Sequence, residues 1–342
     1  MAKSTKKEPK PTVARSKKTA EIALISYPHV QQSAVSGLSD LFEIADRLAR
    51  ERLGSQVPLL RISHLSGWDR TYQTSSLGNL EPSVLVLPPT LQTPSPKSAS
   101  PALIEYLKNR HKAGAILASV CLGAFVLAES GLLSERTVTT HWAYEKLFAS
   151  RFPGVHLDTN KLIVDDGDII TAGGLMAWTD LGLKIIDRLL GPTSMLETAR
   201  YMLVDPPGRE QRYYSVFAPR LTHGDAGILK VQHWLQRADL SDVSVRDMAK
   251  RAGLEERTFL RHFHTATGLT PIQYTQHLRV GRAREVLETS AESIDEIAWR
   301  CGYGDSGAFR RVFARVTGLT PNDYRRRFGP RLAANTYRVP RS

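Results

Sequence analysis

The sequence predicts an α/β domain followed by an all-helical domain. From residue 21 onward, short apolar strands alternate with helical stretches, which is the pattern of a parallel sheet with helices on both faces. The last hundred residues instead repeat one helical motif, and a segment rich in Pro, Gly and Arg separates the two patterns. We therefore expect a basic disordered tail at 1–20, the α/β domain at 21–204, a linker at 205–224, the helical domain at 225–330 and a second tail at 331–342.

The elements of the α/β domain follow from apolar runs and from helical periodicity. The strand candidates are Glu21–Tyr27, Val57–Ser63, Val84–Leu87, Gly114–Ser119, Lys161–Asp165 and Asp168–Ala172. The helix candidates are Val35–Arg52, Ala102–Lys112, Leu122–Ser130, Trp142–Phe152, Met176–Leu190 and a weaker stretch at Thr193–Leu203.

Positive charge is concentrated at the two ends of the chain, whose formal net charge is +12. Residues 1–20 carry seven Lys and Arg against one acid, and residues 230–342 carry twenty against twelve. The segment between them is nearly neutral. A basic C-terminal region predicts contact with a polyanion, although a solvated basic surface explains the same charge.

Two features of the sequence bear on its compartment. No apolar run approaches the ~20 residues of a membrane span, and the basic N-terminus lacks the apolar stretch of a secretory signal. The two cysteines, Cys121 and Cys301, fall in different predicted domains, which suits a reducing compartment. We therefore expect a cytoplasmic protein that contacts no membrane, and we expect neither a cofactor nor a metal.

The C-terminal region contains an internal repeat. Residues 259–274 and 309–324 are identical at nine of sixteen positions, and the match continues upstream at an offset of forty-nine. In each copy the upstream apolar residues fall at i, i+3, i+4 and i+7, the stripe of a short amphipathic helix. These residues are Val245, Met248, Ala249 and Ala252 in the first copy, and Ile294, Ile297, Ala298 and Cys301 in the second.

Helix-capping signals mark the ends of these short helices. Each copy begins with a serine followed three residues later by an acid, a capping-box pattern, and the pairs are Ser244 with Asp247 and Ser293 with Glu296. Gly253 and Gly302 then suit the left-handed turn that ends a helix. A second helix follows in each copy, held inward by a pair of phenylalanines, Phe259 with Phe263 and Phe309 with Phe313. Helix, glycine-containing turn and helix form a helix-turn-helix unit, whose second helix enters the major groove of DNA.

The repeated region resembles the DNA-binding domain of the AraC/XylS family from about Leu229 to Phe328. The segments that carry the resemblance are Arg-Val-Gly-Arg-Ala at 279–283, Ala-Trp-Arg-Cys-Gly-Tyr at 298–303 and Gly-Leu-Thr-Pro at 318–321. A helical segment at roughly Ile272–Thr289 joins the two units. The resemblance implies that one monomer places both recognition helices in successive major-groove turns on one face of the DNA.

With the phenylalanines turned inward, helical geometry points other side chains at the DNA. They are Arg257, Leu260, Arg261 and His264 in the first helix, and Ser306, Gly307, Arg310 and Arg311 in the second. Arg261 and Arg311 occupy equivalent positions, and each either reads a guanine edge or only holds a phosphate. The arginines at 325–327, Arg326 among them, are expected to hold phosphate. Glu255 stands where the family has a Ser or Thr cap, which predicts a weaker helix start.

A cysteine lies where a predicted strand turns into a helix, in the segment Ala-Ser-Val-Cys-Leu-Gly at 118–123. This placement is typical of a nucleophile elbow, which strains the backbone, exposes the thiol and leaves it near the positive end of a helix, where the thiolate is favoured. Downstream, Thr-Thr-His at 139–141 supplies a histidine at a strand end, and Gly173 and Gly174 allow close approach. Taken alone, Cys121 also fits a small core residue.

Together these residues resemble the PfpI-type, glutamine-amidotransferase-like domain over about Glu21–Leu190, which implies a flavodoxin-like fold. Two departures argue against catalysis. The position for the orienting acid falls at about Ala34, and the turn after the third strand contains Pro89, which cannot donate to an oxyanion. We therefore expect a binding pocket with a vestigial Cys121 and His141. The expected ligand-binding residues are Ala34, Thr90, Cys121, Leu122, His141, Gly173 and Gly174.

The order of the two domains resembles the GlxA-type regulators of the AraC family over nearly the whole chain after residue 20. That resemblance implies an N-terminal domain that dimerises and senses a small, nitrogenous metabolite, and a C-terminal domain that binds a promoter. It further implies a transcriptional activator that works with RNA polymerase. Two alternatives stay open: a Cys-dependent hydrolase or amidase fused to a DNA-targeting module, and a redox sensor built on Cys121.

Overall fold

The computed structural model describes residues 19–66, 81–93 and 99–330. The chain divides into two compact units, one ending at Arg209 and the other beginning at Glu210, inside the segment predicted as a linker. Most of the N-terminal tail and all of the tail predicted at 331–342 lie outside the described residues.

Within the described residues, the N-terminal unit contains a six-stranded sheet and a separate two-stranded one. The strands are β1 (Ala20–Ile25), β2 (Leu60–Leu65), β3 (Val84–Leu87), β4 (Ile116–Val120), β5 (Thr137–Val138), β6 (His156–Leu157), β7 (Ile163–Asp165) and β8 (Ile169–Ala172). The order in the large sheet is β2-β1-β3-β4-β8-β7, and β5 pairs with β6. Every residue of β3 and β8 is buried, as expected for strands covered on both faces.

One edge of the large sheet differs from the all-parallel prediction. β7 pairs with β8 in antiparallel register, whereas the other neighbours in this sheet are parallel. The physical reason is the length of the connection, because three residues around Gly167 can close a hairpin but cannot carry the chain back to the start of a parallel strand. Gly167 has φ of 86° in this turn, a conformation that glycine adopts without strain.

Six α-helices accompany these strands in the described part of the N-terminal unit. They are α1 (Gln32–Leu53), α2 (Pro101–Lys112), α3 (Gly123–Ala128), α4 (Glu145–Arg151), α5 (Trp178–Leu190) and α6 (Pro192–Tyr201). The helix predicted at Trp142–Phe152 begins instead as a 3-10 turn, and α4 follows it. α1 packs against α5 and α6. Gly37 permits this approach, because a Cβ there would lie 2.4 Å from the Trp178 ring.

The C-terminal unit is helical throughout its regular structure. Its helices are α7 (Ala226–Arg237), α8 (Val245–Ala252), α9 (Glu256–Thr267), α10 (Pro271–Thr289), α11 (Ile294–Arg300), α12 (Ser306–Thr317) and α13 (Pro321–Phe328). Two hydrophobic clusters lie in this unit, one for each copy of the repeat, and α10 contributes to both. The predicted fold class, an α/β domain followed by an all-α domain, is confirmed.

Local capping determines where the helices of the repeat begin and end. Both predicted capping boxes are present at the starts of α8 and α11. Gly253 ends α8 with φ of 73°. A third capping box, formed by Thr270 and Gln273, starts α10 and was not predicted. Each such cap satisfies backbone N–H groups that a helix start leaves unpaired.

The second half of the predicted linker is folded onto the C-terminal unit. The buried Arg284 side chain donates to the Ser215 and Arg212 carbonyls. The Phe217 ring meets the Tyr274 ring edge to face, with centroids 5.1 Å apart. The residues just after Arg209 therefore belong to the helical unit.

Asp168 gives the N-terminal unit a pH-dependent contribution to stability. The Arg136 guanidinium, 2.6 Å from this carboxylate, and the His111 ring lower the pKa of Asp168 to about 2. Because the folded-state pKa is depressed, the stabilisation is fully present above the unfolded pKa near 4 and is lost as the pH falls toward 2.

We expect Asp168→Asn to lower the free energy of unfolding at pH 7, by a small amount because the side chain is half exposed. The difference from the parent should shrink between pH 5 and pH 3, and urea denaturation at a series of pH values measures it. A difference that is independent of pH would contradict this assignment.

Candidate nucleic-acid interface and Cys121 turn

A triad of aromatic side chains fixes the second helix of each helix-turn-helix unit. The triads are Phe259–Phe263–Tyr274 and Phe309–Phe313–Tyr324. Neighbouring rings in both triads have centroids 5.3 to 5.5 Å apart, and each tyrosine meets its phenylalanine edge to face. All four phenylalanines are fully buried. With this side of α9 and α12 held inward, the opposite side of each helix is fixed as the outer one.

The four predicted contact residues on α9 are all exposed. Leu260 is 43% exposed, which places it on the outer side of α9. Its neighbour Arg261 lies on the same outer side. At the start of α9, Glu255 makes no side-chain cap, as its residue type predicted.

The contact residues on α12 differ from those on α9 in their electrostatic surroundings. Arg311 is exposed, while Arg310 and Ser306 are half-buried. The Arg310 guanidinium lies 3.0 Å from the Asp295 carboxylate, and Arg311 lies 3.7 Å from that of Asp305. Asp305 also caps α12 by accepting bonds from two backbone N–H groups. Gly307 leaves room there, because a Cβ would lie 3.2 Å from the Asp305 carboxylate.

The three arginines near the end of α13 have different environments. Arg325 donates to the Glu292 carbonyl at 2.5 Å, and Arg327 donates to the Tyr214 hydroxyl at 2.8 Å. Both side chains therefore have a hydrogen-bond partner within the domain. Arg326 is 77% exposed and pairs with Asp323. That these arginines hold phosphate stays a prediction.

In the N-terminal unit, Cys121 lies in a strained turn between β4 and α3. Its φ of 55° is a left-handed conformation that non-glycine residues rarely adopt. Two hydrogen bonds hold it there, one from its N–H to the Ala172 carbonyl and one from the Thr140 hydroxyl to its own carbonyl, both 2.7 Å long. Gly123 is required as well, because a Cβ would lie 2.5 Å from the Leu87 carbonyl oxygen. The backbone thus has the shape of a nucleophile elbow.

The thiol at this turn is not the exposed, activated group that the sequence suggested. Cys121 is only 2% exposed, and burial raises the pKa of its thiol to about 12. The desolvation cost of a buried thiolate outweighs the bond from the Leu122 N–H, which acts in the opposite direction. The expectation of a favoured thiolate was therefore wrong.

The turn after β3 offers acceptors rather than donors. The Tyr27 hydroxyl donates to the Pro88 carbonyl, and the Gln31 N–H donates to the Pro89 carbonyl at 2.7 Å. Burial and the nearby thiol of Cys121 raise the pKa of Tyr27. Tyr27 was not predicted as a site residue. Its position at the end of a predicted strand could have indicated it, because the carboxyl ends of parallel strands meet at one edge of a sheet.

His141 acts as a helix cap. Its Nδ1 accepts a bond from the Ala143 N–H at 3.1 Å, so the neutral ring carries its proton on Nε2. Burial lowers the pKa of the ring, which keeps it neutral. In this tautomer Nε2 is a hydrogen-bond donor, while the lone pair of Nδ1 is used by the cap.

The remaining predicted ligand-binding residues lie around the carboxyl ends of β3, β4 and β8 and the start of α1. Thr90 is buried and pairs with Val30 in an isolated bridge. Gly173 donates to the Leu162 carbonyl, and Gly174 has φ of 84°. Ala34 and Leu122 are buried. A cavity of about 700 Å³ lies elsewhere, lined by residues from α1, β2 and Met202.

Neither a cluster of metal-ligating side chains nor a membrane-spanning helix occurs in residues 19–66, 81–93 and 99–330. Within those ranges, no group of three His, Cys, Asp or Glu side chains is placed to hold a metal ion. The described helices also include none long and apolar enough to span a bilayer.

The fold and these two regions define a chain that joins an α/β domain, with a buried cysteine in an elbow-shaped turn, to a tandem helix-turn-helix domain. Residues 61–188 match the DJ-1/PfpI family, and residues 248–327 match a helix-turn-helix domain family. The chain therefore carries a PfpI-type domain followed by an AraC-type DNA-binding domain, and it is a transcriptional regulator of this two-domain kind.

The chain is similar to several known transcriptional regulators. The HTH-type transcriptional regulator ArgR of Pseudomonas aeruginosa is 28% identical over 309 residues, which cover 89% of this chain and 92% of that protein. The HTH-type transcriptional regulator GlxA of Rhizobium meliloti is 29% identical over 226 residues, 65% of this chain and 69% of that protein. A crystal structure of the DNA-binding domain of AdpA with a target DNA is 36% identical, covers 30% of this chain and 92% of that one, and has a TM-score of 0.29.

The burial of both cysteines predicts low thiol reactivity. Burial also raises the pKa of Cys301 to about 11. In the folded protein at pH 8, iodoacetamide should modify neither thiol at an appreciable rate, whereas both should react in denaturant, as mass spectrometry of the digested protein would record. Rapid labelling of Cys121 in the native state would contradict the assigned environment.

Proposed function

We propose that the protein regulates transcription by reading a promoter with two chemically different helices, under the control of a metabolite that binds its N-terminal domain without being converted. The observation that carries this proposal is the repeated aromatic triad, which leaves one outer side of α9 and one of α12 available. The basic charge of the C-terminal region suits the phosphate backbone.

The exposed residues of the two helices suit different bases. On α9, Leu260 suits contact with a thymine methyl group, and Arg261 suits the acceptor edge of guanine. On α12, Arg310 and Arg311 both suit guanine. Arg326 suits a phosphate, because its exposed guanidinium lies outside both reading helices.

We expect Arg261→Ala and Arg311→Ala each to relax base preference in a different half of the binding site, by about 1–3 kcal/mol. Arg326→Ala should weaken binding to all sequences alike and reduce the salt slope by about one. Binding to a selected duplex and to its single-base variants, at several salt concentrations, separates the two effects.

Arg315→Ala is the matched control for these variants. It removes a positive charge from α12, but the Arg315 side chain is bonded to Gln276 and is not a predicted reader. If all four variants changed affinity in the same way at every base, the assignment of readers would fail.

The start of α1 supports binding of a small polar metabolite beside the Cys121 turn. No side chain caps this 22-residue helix, whose N-terminal end favours a negative group. The Gln31 Nε2 donates to the Ser33 hydroxyl. The Gln31 Oε1, an acceptor, is buried and has no partner among the described residues. A buried polar atom without a partner is costly unless a ligand supplies one. Because the orphaned atom is an acceptor, the ligand must supply an N–H or O–H donor; an amino acid carries an ammonium group for Gln31 Oε1 and a carboxylate that suits the helix start, whereas a betaine carries only the carboxylate.

The ligand controls DNA binding only if it prefers one arrangement of the protein. A difference in its affinity for two arrangements shifts the equilibrium between them, and DNA affinity changes by the linked amount. We further propose a homodimer formed through the N-terminal domain, and activation through RNA polymerase, as in the regulators that the chain resembles.

A thermal-shift screen of the full chain with amino acids, amines and betaines tests the ligand site. We expect an amino acid, which carries both an ammonium donor and a carboxylate, to raise the melting temperature by mass action, and Gln31→Ala to reduce that rise. Cys121→Ser should keep the rise, because no covalent step needs the thiol. A rise that survives in Gln31→Ala but not in Cys121→Ser would place the ligand elsewhere or make it a substrate.

The two alternatives meet specific obstacles. A hydrolase needs a thiolate, a base and oxyanion donors, whereas Cys121 is buried with a raised pKa, His141 holds its proton outward and Pro89 has no N–H. Turnover that Cys121→Ser abolishes would favour this alternative. A redox sensor needs an accessible low-pKa thiol, which burial disfavours. Peroxide-dependent DNA binding that requires Cys121 would favour that one.

A further inference from the structure

We propose that Asp295, on α11, is a positioning residue that sets the base preference of Arg310. This inference rests on the proposed function. The Asp295 Oδ1 accepts a bond from Arg310 Nη2 at 3.0 Å. Arg310 and the Ser306 side chain both lower the pKa of Asp295. One side chain of α11 thus interacts with two of the predicted readers of α12 and holds Arg310 by a hydrogen bond.

Comparison of the two copies shows that this arrangement is particular to the second. At an offset of forty-nine, the position of Asp295 corresponds to Arg246, and at an offset of fifty, Arg310 corresponds to Leu260. Both members of the pair differ together, while the aromatic triads and glycines of the copies agree. An acid at position 246 would have no arginine to hold, because residue 260 is apolar.

Holding the guanidinium matters because arginine is long and has many rotamers. A free arginine must lose that freedom on binding DNA, whereas one already held by a carboxylate loses less. The bond to Asp295 uses one of the five N–H donors, so the others stay available for a base edge. Arg310 is half-buried, which restricts its side chain further.

The Asp295 carboxylate favours the preference for one base, but it lowers the overall affinity for DNA. Asp295 is 70% exposed near the predicted DNA-contacting side, so its charge repels phosphates. Removing it should therefore strengthen binding to unrelated DNA while weakening the preference for the correct base. A residue that only stabilised α11 would change both affinities in the same direction.

The test uses the full chain and a duplex selected from random sequences by the parent protein. Variants are Asp295→Ala, Asp295→Asn and the control Glu292→Gln. Glu292 precedes α11 and pairs with Arg300 at 2.7 Å, so this control removes one negative charge without touching a predicted reader. Dissociation constants are measured for the selected duplex, its single-base variants and an unrelated duplex. Thermal melting checks that each variant is folded.

We expect Asp295→Ala to reduce preference about fivefold or more at the base positions that Arg310→Ala also affects. Asp295→Asn, which keeps an acceptor, should lose less. Glu292→Gln should raise affinity for unrelated DNA and leave the preference unchanged. In a chain that already carries Arg310→Ala, Asp295→Ala should cause no further loss of preference.

Unchanged or sharper preference in Asp295→Ala would overturn the inference, as would a loss equal to that of Glu292→Gln. So would an Arg310→Ala variant that keeps full preference. These outcomes leave the proposed function intact as long as the parent protein prefers the selected duplex. A parent protein with no preference for any duplex would instead overturn the proposed function itself.

Discussion

Burial of the Phe–Phe–Tyr triads is the constraint on which the C-terminal domain depends. A twelve-residue helix such as α9 or α12 is marginal by itself in water, so tertiary packing must supply its stability and its rotation about its own axis. The triads do both, because they bury one side of each helix against the helix that follows. In the second copy, Arg284 of α10 lies over the Tyr324 ring of the triad, and Arg279 lies over the Tyr303 ring, which neighbours Phe309. The outer side of each reading helix is therefore determined by what is buried beneath it.

In the N-terminal domain, the backbone at Cys121 has the shape of a nucleophile elbow while the thiol is buried. Packing maintains the strained conformation at Cys121, since β8 and Thr140 bond its backbone and Gly123 fits against the end of β3. Chemistry would require separate features, namely a thiolate, a base with a free lone pair and donors for an oxyanion. The thiol is buried, the His141 ring uses its lone pair as a cap, and the prolines after β3 present carbonyls. A turn kept rigid by packing provides a wall for a ligand whether or not it reacts.

Sequence alone predicted those features that local interactions determine. The capping boxes, the glycine at the end of α8 and the rotation of the reading helices depend on residues within a few positions of one another, so periodicity and residue type were sufficient. The failures share a different cause. Cys121 is buried in a hydrophobic cluster with residues of α1, β3 and α5 that lie far from it in the sequence, and the hydrogen-bond partner of Arg327 is Tyr214, 113 residues away. The antiparallel pairing of β7 with β8 was predictable from the sequence, because the three-residue connection at 166–168 is too short for a parallel crossover.

The two copies of the repeat share their buried aromatic triads and differ at exposed positions. This difference determines in which direction the protein binds along DNA. The agreement includes the triads and the Thr-Gly-Leu-Thr-Pro segment, which packing and capping require. The differences are concentrated on the surface, where Leu260 corresponds to Arg310 and Lys250 to the exposed Trp299. Two identical readers would bind a symmetric site in either direction, whereas two different ones bind an asymmetric site in one direction only. A regulator with a fixed direction presents the same side to whatever binds beside it on the promoter, which is a requirement for acting on one neighbouring gene and not on the other.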